Sequence, residues 1–207
     1  LAEVEHDPAL HTELIDWFLT LPLWLDLPGL RVVHACWHTP FLSWLEPRLH
    51  YRRFLTRELM PAAVVEPEDE AEKDNATPTI FKAVEALTKG IEVPLPNGHS
   101  FLDKDGHRRT RVRVRWWDPG ATTYRTAAML TPEERAGLPD DLIPPHARLA
   151  HAGKPVIFGH YWLTGAITLP SSQAACVDYS AGKGGPLVAY RFDGEQELSP
   201  EKFVWVP

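Results

Sequence analysis

The beginning of the chain has a spacing of apolar and polar residues that predicts a helix followed by a short buried strand. Apolar residues recur at helical spacing at Leu10, Leu14, Trp17, Phe18 and Leu21. Asp7 and Pro8 stand directly before them, as an N-cap and a first helical residue. A Pro-Gly turn at 28–29 then leads into an apolar strand that ends at His34.

The remaining apolar pattern predicts one more amphipathic helix and a strand-rich end. The helix spans 79–89 and is closed by Gly90. An apolar strand at 155–159 ends directly before His160, and further strand candidates lie at 174–179, 187–192 and 202–206. The run Lys183-Gly184-Gly185 predicts a hairpin turn between the first two of these three candidates.

Charged residues set the character of the middle of the chain. The acidic stretch 64–77 predicts a loop. Arg111, Arg113 and Arg115 alternate with apolar residues, which places three guanidinium groups on one face of a strand. Such a face can clamp phosphate oxygens in a bidentate manner, or it can form salt bridges with the excess of acidic side chains. The residues alone leave both interpretations open.

This order of elements predicts an α/β fold with an insertion at about 46–150. Of the 207 residues, 44% are hydrophobic and 24% are charged, which is typical of a globular protein. The net charge of -7 argues against a general nucleic-acid binder, and no apolar run is long enough for a membrane span. Two cysteines exclude a disulfide scaffold and favour a reducing compartment, so we expect a cytoplasmic protein.

Two histidines occupy equivalent places in this pattern. His34 and His160 each lie just past the carboxyl end of an apolar strand, where α/β folds gather their sites. Two neighbouring imidazoles can share a metal ion, and the alternative is a pair of hydrogen-bonded histidines at strand ends. Cys36 and Cys176 are expected to be buried. Most of the other histidines are expected on the solvated surface, and they are His6, His11, His38, His50, His99, His107, His146 and His151.

Four stretches in order carry a family resemblance. They are LRVVHACWH at 30–38, RWWDPG at 115–120, PVIFGHYW at 155–162 and ACVDYSAGKGGPLVAYRFDGE at 175–195. Together they resemble the later half of calcineurin-like metallophosphoesterases, in particular the bacterial branch related to phosphoprotein phosphatases and symmetrical diadenosine tetraphosphatases. The resemblance covers 10–45 and 110–206.

The resemblance implies a fold and a site. The chain 1–207 would be the C-terminal portion of a four-layer α-β-β-α sandwich, with the insertion at about 46–150. His34 and His160 would be ligands of the second of two divalent metal ions, which are Mn, Fe or Zn in such a site. Arg113 or Arg115 would neutralise phosphoryl oxygens, and Tyr179 would line the substrate mouth.

The implied activity is phosphate-ester hydrolysis by attack of a metal-bridging hydroxide. Its substrates would be phosphorylated small molecules, nucleotides such as dinucleoside polyphosphates, or phosphoproteins. The family's first-half motifs, D-x-H, G-D-x-x-D-R-G and G-N-H-D/E, are not in this chain. We therefore expect the full-length protein to be an enzyme and this chain alone to be inactive. Half of a sandwich would also expose strand edges and apolar faces, so we expect it to self-associate.

Two other interpretations stay open. The chain is a non-catalytic, degenerate phosphoesterase-fold binding module if the carboxylate motifs are lost altogether. It is an unrelated α/β domain if the resemblance is a coincidence.

Overall fold

The computed structural model describes residues 6–49, 53–96, 98–103, 106–149 and 153–207. The helices are α1 (Pro8–Phe18), α2 (Thr39–Leu45), α3 (Met60–Val64), α4 (Glu70–Asp74), α5 (Ile80–Lys89), α6 (Tyr124–Ala127) and α7 (Pro132–Ala136). The strands are β1 (Trp24–Asp26), β2 (Arg31–Val33), β3 (Glu92–Pro94), β4 (Phe101–Leu102), β5 (Arg108–Arg109), β6 (Arg111–Arg113), β7 (Val156–Phe158), β8 (Ala174–Cys176), β9 (Leu187–Tyr190) and β10 (Phe203–Val206). Short 3-10 turns lie at Glu46–Arg48, Pro145–Ala147, Ala181–Lys183 and Pro200–Lys202.

A four-stranded mixed sheet with the order β1-β2-β7-β8 forms the centre of the protein. β1 runs antiparallel to β2, whereas β2, β7 and β8 are parallel to one another. The register sets Arg31 opposite Val156 and Phe158 opposite Cys176. Because the three parallel strands end at the same edge, the residues that follow them are brought together there.

The two faces of this sheet pack against different neighbours. Val33, Val156 and Phe158 belong to the larger core, together with α2 and α5, which contribute Leu45 and Leu87. A second, smaller cluster joins the β8 residue Ala175 to the β9 and β10 residues Val188 and Phe203. Complete burial of each large apolar side chain contributes about 1.5–3 kcal/mol. The position of the strand ends is therefore fixed from both sides of the sheet.

Local capping signals account for the two helices that were predicted from apolar spacing. The carboxylate of Asp7 accepts a hydrogen bond from the backbone N–H of Leu10, and α1 begins at Pro8. The hydroxyl of Thr79 accepts from the N–H of Lys82 at the start of α5. Gly90 closes α5 at a φ of 91°, in the left-handed region that favours glycine.

The insertion is built from small pieces. Helices α3 to α7 lie in this part of the chain, with the two-stranded ladders β3-β6 and β4-β5. The acidic stretch predicted as a loop contains α4. This segment contacts two basic side chains, Lys82 of α5 and Arg111 of β6. None of the helices in the described residues has the length and apolar character needed to cross a membrane.

The predicted α/β class is confirmed, as a mixed α/β protein with several small sheets, but no sandwich is identified among the described residues. The predicted hairpin at Lys183-Gly184-Gly185 is wrong. β8 pairs in parallel with β7, and β9 pairs instead with β10. A single bridge between Asp178 and Leu187 connects the two regions. β8 is buried throughout, and such a strand needs a neighbour inside the central sheet.

Candidate functional site

The candidate site lies where β2, β7 and β8 end. His34 follows β2, His160 follows β7 after Gly159, and Asp178 follows β8 after Val177. The backbone N–H of Gly159 donates to the carbonyl of His34 at 3.0 Å, and the N–H of Val177 donates to the carbonyl of Phe158 at 2.8 Å. These bonds continue the ladder past the strands and hold the three ends in register.

Gly159 lies close to both neighbouring strand ends. A Cβ atom at this position would lie 3.4 Å from the Cβ of Asp178 and 3.7 Å from the carbonyl oxygen of His34, which are ordinary van der Waals distances. The end of β7 is therefore packed against the ends of both β2 and β8.

The imidazoles of His34 and His160 lie side by side. Their ring centroids are 5.2 Å apart and the ring planes are inclined by 58°. His34 is exposed and His160 is half-buried, so the pair is open to solvent on one side. The Nε2 atom of His160 is buried and has no hydrogen-bond partner among the described residues. His160 also adopts a left-handed backbone with a φ of 73°, a strained conformation that collects at functional sites.

The surroundings keep both rings neutral at ordinary pH. Desolvation, together with the positive charge of Arg113, lowers the pKa of His160 to about 4. Desolvation also lowers the pKa of His34, and the carboxylate of Asp178 opposes that effect. A neutral imidazole has a free lone pair, which is the form that binds a metal ion.

Asp178 is the site residue that the sequence reasoning missed. Its two carboxylate oxygens accept from the backbone N–H groups of Ser180 at 3.0 Å and Trp162 at 3.4 Å. It therefore ties the loop after β8 to the loop after β7, and its charge acts on both histidines. The available signal was its place directly after an apolar strand, the same place that His34 and His160 occupy.

The donor set fits a metal ion only in part. The orphaned Nε2 of His160 beside the neutral ring of His34 is the kind of pair that a transition-metal ion binds. Across the described ranges, however, no three His, Cys, Asp or Glu side chains are grouped closely enough to hold a metal ion. A stable centre would need further ligands in addition to this pair.

A cavity of about 720 Å³ adjoins the histidine pair. His160 and Trp162 line one side, and Arg111 and Arg113 from β6 line another. Arg111 and Arg113 both reach the cavity, and Arg113 is the one whose charge acts on His160. Its Nε lies 3.3 Å from a carboxylate oxygen of Glu92, in a half-exposed ion pair on the neighbouring strand β3.

The other arginines of the stripe serve as salt-bridge partners. Arg111 forms ion pairs with Glu70 and Asp74 of α4. β6 ends at Arg113, so Arg115 no longer follows the alternation of the strand. Arg115 donates to the carbonyl of Thr126 and lies 3.4 Å from the carboxylate of Asp118, away from the cavity.

Tyr179 also lies outside the cavity. It belongs to the second core cluster, is only 2% exposed, and its hydroxyl accepts from the backbone N–H of Thr168. At this depth its side chain supports the fold and does not line a substrate mouth. Cys36 and Cys176 are free thiols and are buried, as predicted.

The remaining histidines differ in burial. His6, His11 and His107 are exposed, as expected, whereas His38 is buried at 2% and does not belong to the solvated set. His99 and His146 are half-buried, and His50 and His151 lie outside the described residues.

No protein-family model, no curated protein and no solved structure matches this chain. The family resemblance therefore depends on the four motifs and on the arrangement of the residues that they contain.

Proposed function

We propose that this chain is the C-terminal, histidine-bearing part of a metal-dependent phosphohydrolase of the calcineurin-like kind. One observation carries the proposal. His34 and His160 follow adjacent parallel strands, and their rings lie 5.2 Å apart, with the Nε2 of His160 buried and unpartnered among the described residues. An unpaired buried nitrogen costs about 1–3 kcal/mol unless a ligand satisfies it.

In this proposal the two imidazoles hold the second of two divalent ions, which are Mn, Fe or Zn, and carboxylate motifs outside this chain provide the remaining ligands. When bound, such ions polarise a phosphoryl group and supply a nucleophile at neutral pH. The four-stranded sheet and the ladder β9-β10 packed on it would form part of the α-β-β-α sandwich.

Arg113 would bind the anionic oxygens of the substrate. It lines the cavity beside His160, and its present partner is the carboxylate of Glu92 at 3.3 Å. A half-exposed ion pair of this kind contributes only about 0–1 kcal/mol, so a phosphate dianion can replace Glu92 at little cost. The substrates would be phosphomonoesters, dinucleoside polyphosphates or phosphoproteins.

A second candidate function is a non-catalytic binding module of the same fold. The absence of a three-ligand group among the described residues favours it. In that case the cavity would retain an anionic ligand without hydrolysing it.

Metal binding by this chain is the first test. Titration with Co²⁺, followed by visible absorption, is expected to report a weak site that contains imidazole ligands. His34→Ala and His160→Ala are each expected to weaken binding by at least about tenfold. His11→Ala, an exposed histidine on α1, is the control and should bind as the parent does. Equal binding by all four proteins would contradict the proposed site.

Hydrolysis is tested in a protein that also contains the carboxylate motifs. With p-nitrophenyl phosphate as the substrate, His34→Ala and His160→Ala should lower metal content and hydrolysis together. Unchanged hydrolysis in both variants would contradict the enzyme proposal. Metal binding and ligand retention without any turnover would favour the binding module.

A further inference from the structure

The cavity beside the histidine pair is lined by both charged and apolar side chains. Arg109, Arg111 and Arg113 of β5 and β6 line it, and each of them is paired with a carboxylate. Phe101, Met129 and Trp162 line the same cavity, and Phe101 lies opposite Arg109 in the β4-β5 ladder. His160 lines it too, so a ligand with its phosphate at the histidines would place its organic part among these side chains.

Trp162 is the most exposed of the three apolar residues that line the cavity. It lies two residues after His160, and 52% of its surface is exposed. Its backbone has a φ of 48°, and its N–H donates to the carboxylate of Asp178, the residue that also acts on both histidines. The indole is therefore exposed to the cavity while its backbone is tied to the site, an arrangement that positions a ligand-contacting side chain.

The charge beside the ring adds to this arrangement. The ammonium group of Lys183 lies over the indole, 3.9 Å from its centroid. The ammonium occupies one face of the indole, so a planar ligand ring would stack on the opposite face. Stacking on an aromatic side chain is effective for any ring with a π-face, and it makes no demand on hydrogen-bonding edges.

We infer that Trp162 is a stacking platform and that the site prefers phosphate esters whose organic part carries a planar aromatic ring. This inference rests on the proposed function for the location of the phosphate. The histidines and Arg113 would bind the phosphate group and do not determine which organic group is esterified to it. The inference adds the chemical class of that organic group. The ring would lie on Trp162, while the phosphate lies between His160 and Arg113.

The test compares ligands that differ only in the ring. Calorimetric titrations of the full chain with AMP and with ribose 5-phosphate measure the contribution of the base, because sugar and phosphate are shared. AMP is expected to bind about tenfold more tightly. Trp162→Ala should remove this difference, and Trp162→Phe should keep most of it, because phenylalanine retains a stacking face and controls for folding. Trp205→Ala, an exposed tryptophan on β10, should leave the preference unchanged.

The outcomes separate this inference from the proposed function. Equal affinity for AMP and ribose 5-phosphate, no binding of either, or a preference for AMP that survives Trp162→Ala would each overturn the stacking platform. Loss of Co²⁺ binding in the histidine variants is measured separately and bears only on the metal site. O-phosphotyrosine and O-phosphoserine form a second pair. A greater preference in that pair than in the nucleotide pair would support the platform and identify a phenol ester as its ligand.

Discussion

The imidazole of His38 is held in one protonation state by its surroundings. Its Nδ1 accepts from the backbone N–H of Phe41 at 3.1 Å and so caps α2. Its Nε2 therefore carries the hydrogen and donates to the carbonyl of His146 at 3.2 Å. Desolvation lowers the pKa of His38 to about 4. Protonation of Nδ1 would turn the cap acceptor into a second donor facing an N–H group.

Stability should consequently fall when the solution is acidified. In the unfolded chain His38 titrates near 6.5, and in the folded protein its pKa is about 4, so the unfolded state binds more protons between these values. The contribution is fully present above pH 6.5 and is lost as the pH falls towards 4, by an amount on the order of 3 kcal/mol. Urea unfolding at pH 7.5, 6 and 5 measures it.

The matched variant for this prediction is His38→Asn, which keeps an acceptor for the N–H of Phe41 and cannot titrate in this range. His34, His146 and His160 also have lowered pKa values, so both proteins should lose stability in acid. The loss should be smaller in the variant. Equal losses would show that the buried cap is not the titrating group.

For single residues, the sequence predicted which histidines lie at the ends of strands better than it predicted how buried each histidine is. His34 and His160 stand out because each follows an apolar strand, and the structure brings the two together. The burial of His38 depends on the carbonyl of His146, more than a hundred positions away in the chain. Local polarity around a histidine carries no information about such a partner.

The acidic segment around α4 shows how an element without an apolar face becomes ordered. The ammonium group of Lys82 on α5 donates to the carbonyls of Glu72 and Asn75 and to the side chain of Asn75, at 2.7–3.0 Å. Arg111 of β6 binds two carboxylates of the same helix. A loop was predicted for this segment because the pattern of apolar residues carries no signal for a helix that basic side chains hold from outside.

Removal of the lysine should release this helix alone. Lys82→Met keeps the aliphatic length of a side chain that is only 9% exposed, and it leaves three acceptors around α4 without their donor. Hydrogen exchange is expected to accelerate by about tenfold or more over 69–75, with little change in the central sheet. Lys89→Met is the control, since Lys89 lies on the same helix and forms an exposed ion pair with Glu85. Identical exchange in the two variants would contradict the anchoring role.

Gly90 joins the end of α5 to the core beneath the site. An added Cβ would lie 2.3 Å from the hydroxyl oxygen of Tyr161, in addition to the cost of a left-handed φ of 91°. Gly90→Ala should therefore destabilise the protein by roughly 2–4 kcal/mol. Gly165→Ala has a similar φ of 82° but no neighbour within 4 Å, so it should cost only about 1 kcal/mol.

A double variant identifies the clash in Gly90→Ala. In a Tyr161→Phe background the hydroxyl is absent, and Gly90→Ala should cost less there than in the parent when measured by urea unfolding. Additive effects of the two substitutions would mean that backbone strain alone explains the loss. Such clashes are not visible from the sequence, because Gly90 and Tyr161 are far apart in the chain and meet only in the folded protein.

Over the whole molecule, the features of the fold that the sequence predicted are those determined by residues close together in the chain. The caps of α1 and α5 and the strand segments were predicted from neighbouring residues, whereas the sheet order β1-β2-β7-β8 depends on pairings across the entire insertion. The wrong hairpin at 183–185 shows the same limit. Turn residues predict that the chain reverses, but they do not determine which strand becomes the neighbour.

Several apolar side chains are exposed on the described surface, and two groups of them lie on α1 and on β10. Helix α1 has no buried residue and exposes Trp17 and Phe18. Strand β10 belongs to a two-stranded ladder whose only strand neighbour in the described ranges is β9, and it exposes Val204, Trp205 and Val206. An apolar edge strand of this kind is a template for pairing with another chain.

Self-association should therefore depend on β10. Sedimentation velocity at about 50 µM is expected to show dimers or larger species for the parent chain, because pairing would satisfy backbone groups and bury three neighbouring apolar side chains. Trp205→Lys places a charge on that edge and should shift the chain towards monomer by at least about tenfold in dissociation constant. Leu102→Lys on β4 is the matched control, since Leu102 is as exposed but lies in a different ladder.

A parent chain that sediments as a monomer, or two variants that associate equally, would mean that β10 is already protected. The apolar edge would then need no additional strand, and the half-sandwich expectation would lose its main physical support.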